Sequence, residues 1–436
     1  MSLARSLMNR LAWNLATARR WLLHASDLSP VDRNIRCLVV DTAWQGLMMG
    51  GVFTFLSVFA VRLGASNLQV SLLTSLPSAI MVVLSIPASQ VVQRQRNLVR
   101  FTNLGRILHR GSILVVALLP FFAKRYLIEA ILVAWSIKTV AIAFIEPSWV
   151  GVVAEVIPSK RRAAVNSGRW ALLSVVTAAA VAVFGYVLDR VVFPLGYQIV
   201  FAVSFLGGVM GMFSWGRIVL PEEIEQPFAQ DAPKVSLSAR LRRYVGTLTG
   251  EPQFVRFLLT TSVLRIAMNL PAALYSIYWI RYLEASDLWI GWQATAGKIA
   301  PIIGYFLWGR VATRRGHHLV LLICALGVGL YPVLTGLVPS QLWLPAVALV
   351  QGFFVTGIDL AFFDTLLHVC PRKERSRFVA VNSVFVYLAL SLAPLVGSAL
   401  ADWWGIRVAF YVAGAVHVVA ALLFLVFRVG DDRDGE

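Results

Sequence analysis

Charged residues are scarce in this chain of 436 residues, and acidic residues are scarcer than basic ones. Charged residues make up 14% of the sequence, whereas a soluble domain contains about 25%. Hydrophobic residues make up 58%, which is more apolar surface than a protein dissolved in water can bury. The shortage of charge therefore excludes an ordinary soluble protein and indicates that a lipid bilayer surrounds the chain.

Cysteines and catalytic motifs are also missing. Three cysteines at unrelated positions give no disulfide framework, zinc site or redox motif. The sequence has no His-Glu-x-x-His zinc helix and no Gly-x-Ser-x-Gly elbow. Gly297-Lys298-Ile299 resembles the end of a phosphate-binding loop, but Trp292 replaces the first glycine and Ile299 lacks the hydroxyl group. We therefore expect neither an enzyme nor an ATP-driven pump, and no cofactor or metal.

The sequence does contain a regular series of apolar stretches. About 20 apolar residues cross the hydrocarbon core of a bilayer. The predicted spans lie near residues 36–62, 68–92, 101–122, 126–156, 165–188, 193–219, 254–282, 288–309, 318–338, 342–369, 378–401 and 406–428. We therefore predict an all-α integral membrane protein with twelve transmembrane helices.

Lysine and arginine cluster in every second connection between these spans. Examples are the connections at 94–100, 160–162, 234–243, 314–315 and 372–377, together with the segment before the first span. The opposite connections contain only Arg62, Lys124, Arg125, Arg190, Arg281 and Arg407. The positive-inside rule then predicts a multi-pass protein of the cell inner membrane with both termini in the cytoplasm. The net charge of +17 is thus an orientation signal, and we expect no binding to nucleic acid.

An internal repeat divides the chain into two halves. Ala65-Ser66-Asn67-Leu68 returns as Ala285-Ser286-Asp287-Leu288, at an offset of 220 (285 minus 65). The basic run at 158–162 returns at 371–375, at an offset of 213 (371 minus 158). The predicted parts are an amphipathic cytoplasmic segment (1–34), a first six-helix bundle (35–220), a cytoplasmic linker (221–253), a second six-helix bundle (254–428) and a cytoplasmic tail (429–436). For the first segment, a partly ordered tail is the alternative.

These features resemble the major facilitator superfamily of secondary transporters. The family's loop after span 8 reads roughly Gly-x-x-x-Asp-Arg-x-Gly-Arg-Arg. The stretch from Gly309 to His318 fits it through Gly309, Arg314 and Gly316, but Thr313 replaces the acid. The resemblance implies two pseudo-symmetric six-helix bundles, transport by alternating access, and a central path lined by spans 1, 4, 7 and 10.

Long polar side chains occupy equivalent places in those four spans. An ionisable residue inside a span costs about 2.5–3.5 kcal/mol, so it needs a partner or a water-filled cavity. By the two offsets, Gln45 corresponds to Arg265 and Lys138 to Gln351, each about 13–17 Å deep. We predict that these residues bind substrate near mid-membrane, where such transporters hold it. The full predicted set is Gln45, Lys138, Arg265, Asn269, Lys298 and Gln351. Structural pairing of Lys138 and Arg265 with acids is the alternative, and a structural role is the favoured interpretation of Lys298, His109 and Arg110.

Acidic residues lie at other depths in the spans. Asp41, Glu146 and Asp359 are the predicted coupling or gating acids, with Arg106 and Arg169 as basic neighbours. Three interpretations remain open: ion pairs that close the cytoplasmic side, carboxylates with a raised pKa that carry protons, and purely structural pairs.

We therefore predict a secondary active transporter, a monomer, that moves a small anionic or zwitterionic organic solute and is coupled to a proton. One alternative is an efflux pump for drug-like amphiphiles, whose pocket is expected to be apolar and aromatic, with acids at mid-depth. The other is a non-transporting membrane sensor or assembly protein with a closed path and paired charges.

Overall fold

A computed structural model of the chain describes residues 28–220, 251–370 and 375–429. The predicted amphipathic segment and the predicted linker and tail lie almost entirely outside the described residues. Within the described ranges the chain is helical and contains no strand. The prediction of an all-helical membrane fold is therefore confirmed.

Twelve helices follow one another through the described ranges. They are α1 (Pro30–Met48, continued by a π-helical turn Met49–Phe53 and by Thr54–Arg62), α2 (Asn67–Gln93), α3 (Leu98–Phe122), α4 (Leu127–Val156), α5 (Ser159–Arg190), α6 (Leu195–Trp215), α7 (Pro252–Asn269 and Ala272–Arg281), α8 (Asp287–Arg315), α9 (His317–Leu337), α10 (Leu344–Val369, after a 3-10 turn Gln341–Trp343), α11 (Arg375–Trp404) and α12 (Ile406–Phe427).

Among the described residues, eleven helices are long and apolar enough to cross a membrane, and α8 is the exception. It has 29 residues, which is ample length, but Gln293 and Lys298 in its middle lower its mean hydropathy. It packs against α5 and α10 within the bundle, so neighbouring helices cover much of its surface.

The first six helices pack mainly on one another, as do the last six. The two groups meet where α2 packs on α11 and where α5 packs on α8. The two contacts are equivalent in the repeat, because α2 corresponds to α8 and α11 corresponds to α5. Gly185 and Gly291 allow the backbones of α5 and α8 to approach closely, because a Cβ on Gly185 would lie 2.9 Å from the carbonyl oxygen of Asp287.

Because successive helices run in opposite directions, the connections lie alternately on two sides of the molecule. We call the side where α1 begins and α12 ends the terminal side, and the opposite side the far side. One apolar cluster on the far side contains buried residues from both halves, such as Val61 and Tyr278. The large clusters nearer the terminal side each belong to one half. The halves are therefore joined across the far side and separate towards the terminal side.

Two arginines bind across the far side in the same way. The guanidinium group of Arg62 donates to the carbonyl oxygen of Ala285 (3.1 Å) and pairs with Asp287 (3.1 Å). The guanidinium group of Arg281 donates to the carbonyl oxygen of Ala65 and to Oδ1 of Asn67 (3.2 Å). Ala65 and Asn67 are the repeat equivalents of Ala285 and Asp287. Each half therefore inserts one arginine into the same loop of the other half, and we call these contacts the reciprocal arginine bonds.

The π-helical turn of α1 and the interruption of α7 occupy the same place in the repeat, since Gly51 corresponds to Pro271 (271 minus 220). The backbone N–H of Val52 in the turn donates to Oγ of Ser204 in α6 at 3.2 Å. A Cβ on Gly51 would collide with that hydroxyl oxygen, so the close approach of α1 and α6 requires glycine. Interruptions of this kind in membrane helices are frequent at functional sites.

Candidate substrate site

A cavity of about 560 Å³ lies among α1, α3, α4 and α5, and we call it the first-half cavity. Its volume falls within the range of about 300–1,000 Å³ that is usual for small-molecule sites. Its polar lining residues are Thr42, Gln45, Arg106, His109, Arg110, Glu146 and Arg169. The remaining lining is apolar and aromatic and includes Met48, Phe53, Ile142, Trp149, Trp170 and Leu173.

A buried ion pair closes one wall of this cavity. The guanidinium group of Arg106 donates to both oxygens of Asp41, at 2.8 and 3.0 Å, and both side chains are at most 3% exposed. Arg106 also lies over the ring of Trp215, 4.4 Å from its centroid. Asp41 and Arg106 belong to the same half, so their pairing ties α1 to α3. That this pair takes part in closing the cytoplasmic side stays a prediction.

The other predicted basic neighbour, Arg169, has no carboxylate partner within 4 Å among the described residues. Its Nε donates to the hydroxyl of Thr42 at 2.9 Å, and its guanidinium group lies 5.0 Å from the ring centroid of Trp149. Arg169 therefore contributes positive charge to the cavity wall while a hydrogen bond holds it in place.

Three further basic side chains lie at the inner end of the cavity and lack an acidic partner within the described ranges. Their exposed fractions are 4% for His109, 4% for Arg110 and 3% for Lys138. The guanidinium group of Arg110 contacts the ring of His109, and no carboxylate lies within 4 Å of any of the three. Nε2 of His109 and Nε of Arg110 have no hydrogen-bond partner in the part of the chain that the structure describes.

Lys138 is held by aromatic rings. Its Nζ lies 3.2 Å from the ring centroid of Trp135 and 4.3 Å from that of Phe53, which also lines the cavity. A cation over the face of an aromatic ring is stabilised by about 0.5–2 kcal/mol. The rings thus position the ammonium group, but their small contribution leaves its charge unbalanced.

Arg265 lies in a separate, smaller cavity of about 180 Å³ among α7, α10 and α11, which we call the second-half cavity. Asp359 lines the same cavity, but within the described residues it forms no ion pair within 4 Å with Arg265 or another basic group. The guanidinium group of Arg265 lies 4.9 Å from the ring centroid of Phe362. The side chain of Asn269 turns back to donate to the carbonyl oxygen of Arg265 at 2.8 Å.

The four-helix site expected from the repeat is thus divided in this conformation. Gln45 lines the first-half cavity and Lys138 lies beside it, against the ring of the lining residue Phe53, whereas Arg265 lines the second-half cavity. Gln351 is half-buried and Lys298 is exposed, and neither lines either of these two cavities. Equal depth in equivalent helices did not ensure a shared cavity, because the direction of a side chain depends on how its helix packs.

Glu146 lies where the first-half cavity meets the second half. Its carboxylate is exposed and accepts a long hydrogen bond, 3.4 Å, from the hydroxyl of Tyr387 in α11. No basic group lies within 4 Å of it among the described side chains. Glu146 is therefore a cavity-lining carboxylate that touches both halves.

The family-like loop motif forms the turn between α8 and α9. Gly309 and Arg314 lie in the last turns of α8, and Gly316 links the two helices with a φ of +82°. That backbone conformation favours glycine, because it strains residues with a side chain. The described residues contain no cluster of side chains suited to a metal ion.

Comparison with sequence families shows one match. Residues 257–436 match the family model described as Major Facilitator Superfamily. The chain is 29% identical over 148 residues to the multidrug resistance protein MdtG of Proteus mirabilis and 30% identical over 148 residues to that of Dickeya zeae. Each alignment covers 33% of this chain, and 36% and 35% of the respective relative. The matched region thus spans about a third of these relatives.

Solved structures resemble nearly the whole chain. A POT family transporter in complex with a thioalcohol-conjugated peptide has a TM-score of 0.73 at 14% identity, covering 91% of this chain and 96% of that one. A point mutant of the nucleoside transporter NupG has a TM-score of 0.70 at 11% identity, covering 90% and 99%. A bacterial homologue of the human lysosomal transporter Spinster, in an inward-facing and unoccupied conformation, has a TM-score of 0.63 at 14% identity, covering 93% and 98%. Such low identities establish the fold alone.

Proposed function

We propose that the chain is a member of the major facilitator superfamily and a secondary active transporter that moves a small organic solute by alternating access. The observation that carries this proposal is the arrangement of the two halves. They are bound together across the far side, while a cavity of about 560 Å³ reaches the boundary between them. If the basic terminal side is cytoplasmic, as the loop charges predict, the conformation opens inwards.

We propose that the solute is anionic or zwitterionic. Arg110, Lys138 and Arg169 place positive charge in or beside the cavity without an acidic partner among the described residues. An uncompensated buried charge is unfavourable, and a bound anion offsets this cost. The alternative of a non-transporting protein with paired charges is therefore not favoured.

We propose Glu146 as the proton-carrying residue. It lines the cavity, has no basic partner within 4 Å among the described residues, and contacts Tyr387 of the other half. A carboxylate in this position can exchange a proton with the cavity and respond to movement between the halves. Asp41 is less suitable, because both of its oxygens are held by Arg106.

A multidrug efflux role is the second candidate. It is favoured by the similarity to proteins named multidrug resistance protein MdtG, and by the apolar and aromatic part of the cavity lining. The charges at mid-depth distinguish the two candidates, because a pocket for cationic drugs requires unpaired acids at mid-depth, where this cavity has unpaired bases. Its unpaired acid, Glu146, lies nearer the terminal side.

Transport is tested with the purified protein in liposomes. Vesicles loaded with a candidate solute are diluted into labelled solute, and counterflow is measured with and without a pH gradient. We expect counterflow in both cases and net accumulation only with the gradient. Glu146→Gln is expected to retain counterflow and lose accumulation, whereas the control Glu129→Gln, a residue at the start of α4 and outside the cavity, is expected to keep both. If solutes that bind the protein show no counterflow, the proposal of transport is refuted.

A further inference from the structure

We propose that the solute is an amphipathic organic anion, with one acidic group held by Arg110 and an apolar, ring-sized body packed against Trp149 and Trp170. This inference rests on the proposed transport function and specifies the substrate class of the same cavity. Three observations support it: the distribution of free charge, the apolar wall and the small size of the second-half cavity.

Free positive charge is concentrated at the inner end of the cavity. Arg106 lines the cavity and its Nε lacks a hydrogen-bond partner among the described residues, but its charge is balanced by both oxygens of Asp41. Arg110 is also buried and lines the cavity; among the described residues its Nε has no hydrogen-bond partner either, and its guanidinium group contacts another basic side chain, His109. An arginine in this state binds a carboxylate or phosphate oxygen strongly, because the hydrogen bond is charge-assisted.

Apart from the carboxylate of Glu146, the wall between this inner end and the second half is apolar. It contains Ile142 and Ile145 of α4, followed by Trp149, and Trp170 of α5, whose side chain is 62% exposed. Aromatic rings pack well against a flat apolar body, at about 0.5–1.5 kcal/mol beyond the area they bury. A compact hydrophilic anion leaves this wall in contact with water, whereas an amphipathic anion covers it.

The second-half cavity does not provide a second anion site. Its volume of about 180 Å³ is below the usual range for a small-molecule site, and Asp359 lines it together with Arg265. A solute with an acidic group at each end therefore meets Asp359 as well as Arg265 in the second-half cavity. Within the first-half cavity, the other arginine without a carboxylate partner among the described residues, Arg169, is already held through its Nε by Thr42. One acidic group at one end is the chemistry that the cavity fits.

Binding of defined probes tests this assignment in the purified full-length protein. The probes are 2-naphthoate, its neutral amide, the corresponding naphthylmethylamine, and succinate as a compact hydrophilic dianion. Thermal stabilisation and titration calorimetry report binding. We expect 2-naphthoate to bind at least tenfold more tightly than the other three probes. Equal binding by the amide or by succinate, or no binding of 2-naphthoate to folded protein, overturns the inference.

Variants then locate the acid group. Arg110→Gln is expected to weaken 2-naphthoate binding at least tenfold, and Arg110→Lys to restore part of it, which separates loss of charge from misfolding. Arg265→Gln is the matched control, since it removes another buried arginine, and we expect it to leave binding unchanged. If Arg265→Gln abolishes binding instead, the assignment to the first-half cavity is overturned.

Counterflow in liposomes separates the two proposals. Binding of 2-naphthoate without counterflow refutes transport and leaves the anion site standing. Counterflow of the amine without binding of 2-naphthoate supports transport and refutes the anion class.

Discussion

Replacing Arg62 by methionine is expected to weaken the contact between the two halves on the far side. Its guanidinium group joins the halves through Asp287 and through the carbonyl oxygen of Ala285. The side chain of Asp287 is 7% exposed, so the substitution leaves a nearly buried carboxylate with Tyr197 as its remaining donor, at 2.6 Å. The conformation that is closed on the far side therefore loses stability relative to one in which this carboxylate is hydrated.

The size of the effect follows from the burial of the pair. Removing one partner of a fully buried ion pair costs about 3–5 kcal/mol. The side chain of Arg62 is 28% exposed, so water already weakens the interaction, and we expect a cost of about 2 kcal/mol. Since 1.4 kcal/mol corresponds to a factor of ten, the ratio of closed to open protein should fall about 30-fold.

Cysteine labelling measures this ratio. Ser71 is fully buried where α2 meets α11, and its hydroxyl donates to the carbonyl oxygen of Pro394 at 3.0 Å. In a background that lacks the three native cysteines, Ser71→Cys is labelled by a membrane-impermeant maleimide only when the far side opens. Arg62→Met is expected to raise the labelling rate by about 10- to 30-fold when labelling follows the open population.

Arg125→Met is the control for a lost far-side charge, because Arg125 is exposed and its recorded contact is with the neighbouring ring of Tyr126. An unchanged labelling rate in Arg62→Met, or an equal rise in Arg125→Met, contradicts the role given to Arg62. Adding Asp287→Asn to Arg62→Met should change the rate little further, because residues that act as a pair are not additive.

Two further substitutions test the interior of the first half by thermal unfolding of the purified protein. Asp41→Asn leaves Arg106 buried without a countercharge and should lower the free energy of unfolding by about 3–5 kcal/mol. Asp32 pairs with Arg161 and both side chains are partly exposed, so Asp32→Asn should lower the free energy of unfolding by less than about 1 kcal/mol. Similar costs for both carboxylates would contradict the burial argument. Gly51→Ala should cost about 1–3 kcal/mol through its collision with the hydroxyl of Ser204, and adding Ser204→Gly should recover part of that loss; no recovery would place the strain elsewhere.

The helices were predictable because lipid imposes a simple requirement on length and polarity. Each predicted span overlaps one helix of the structure, and the differences lie at the ends. For example, α5 begins at Ser159, although its apolar part was expected from residue 165. Hydropathy marks the part of a helix that lies in the hydrocarbon core, whereas the helix itself continues into the basic residues at the membrane surface.

The site was predictable only in part, because sequence gives the depth of a residue but not the neighbour it faces. Asp41 and Arg106 were expected at similar depth, and the structure pairs them within one half. Gln45 and Arg265 are repeat equivalents and nevertheless line different cavities. Such differences arise from packing between helices that are distant in the chain, and no local pattern records them.

The reciprocal arginine bonds were not predicted, although part of the signal was present. Arg62 and Arg281 were interpreted only as minor charges that help to set orientation. The repeated Ala-Ser-Asn and Ala-Ser-Asp loops contain the groups that accept these bonds. A repeated loop with a basic residue just before it in both halves is therefore a useful pattern for contacts between halves.

The matched interruptions in α1 and α7 give each half a short helical segment on the far side that can bend relative to the rest of its helix. Beyond each interruption a short arm remains, Thr54–Arg62 in one half and Ala272–Arg281 in the other, and each arm carries one of the bonding arginines at its tip. Bending at two hinges can therefore swing both arms apart while the long segments keep their packing. On this geometry the far side can open by bending of the two arms, and one half need not rotate rigidly away from the other.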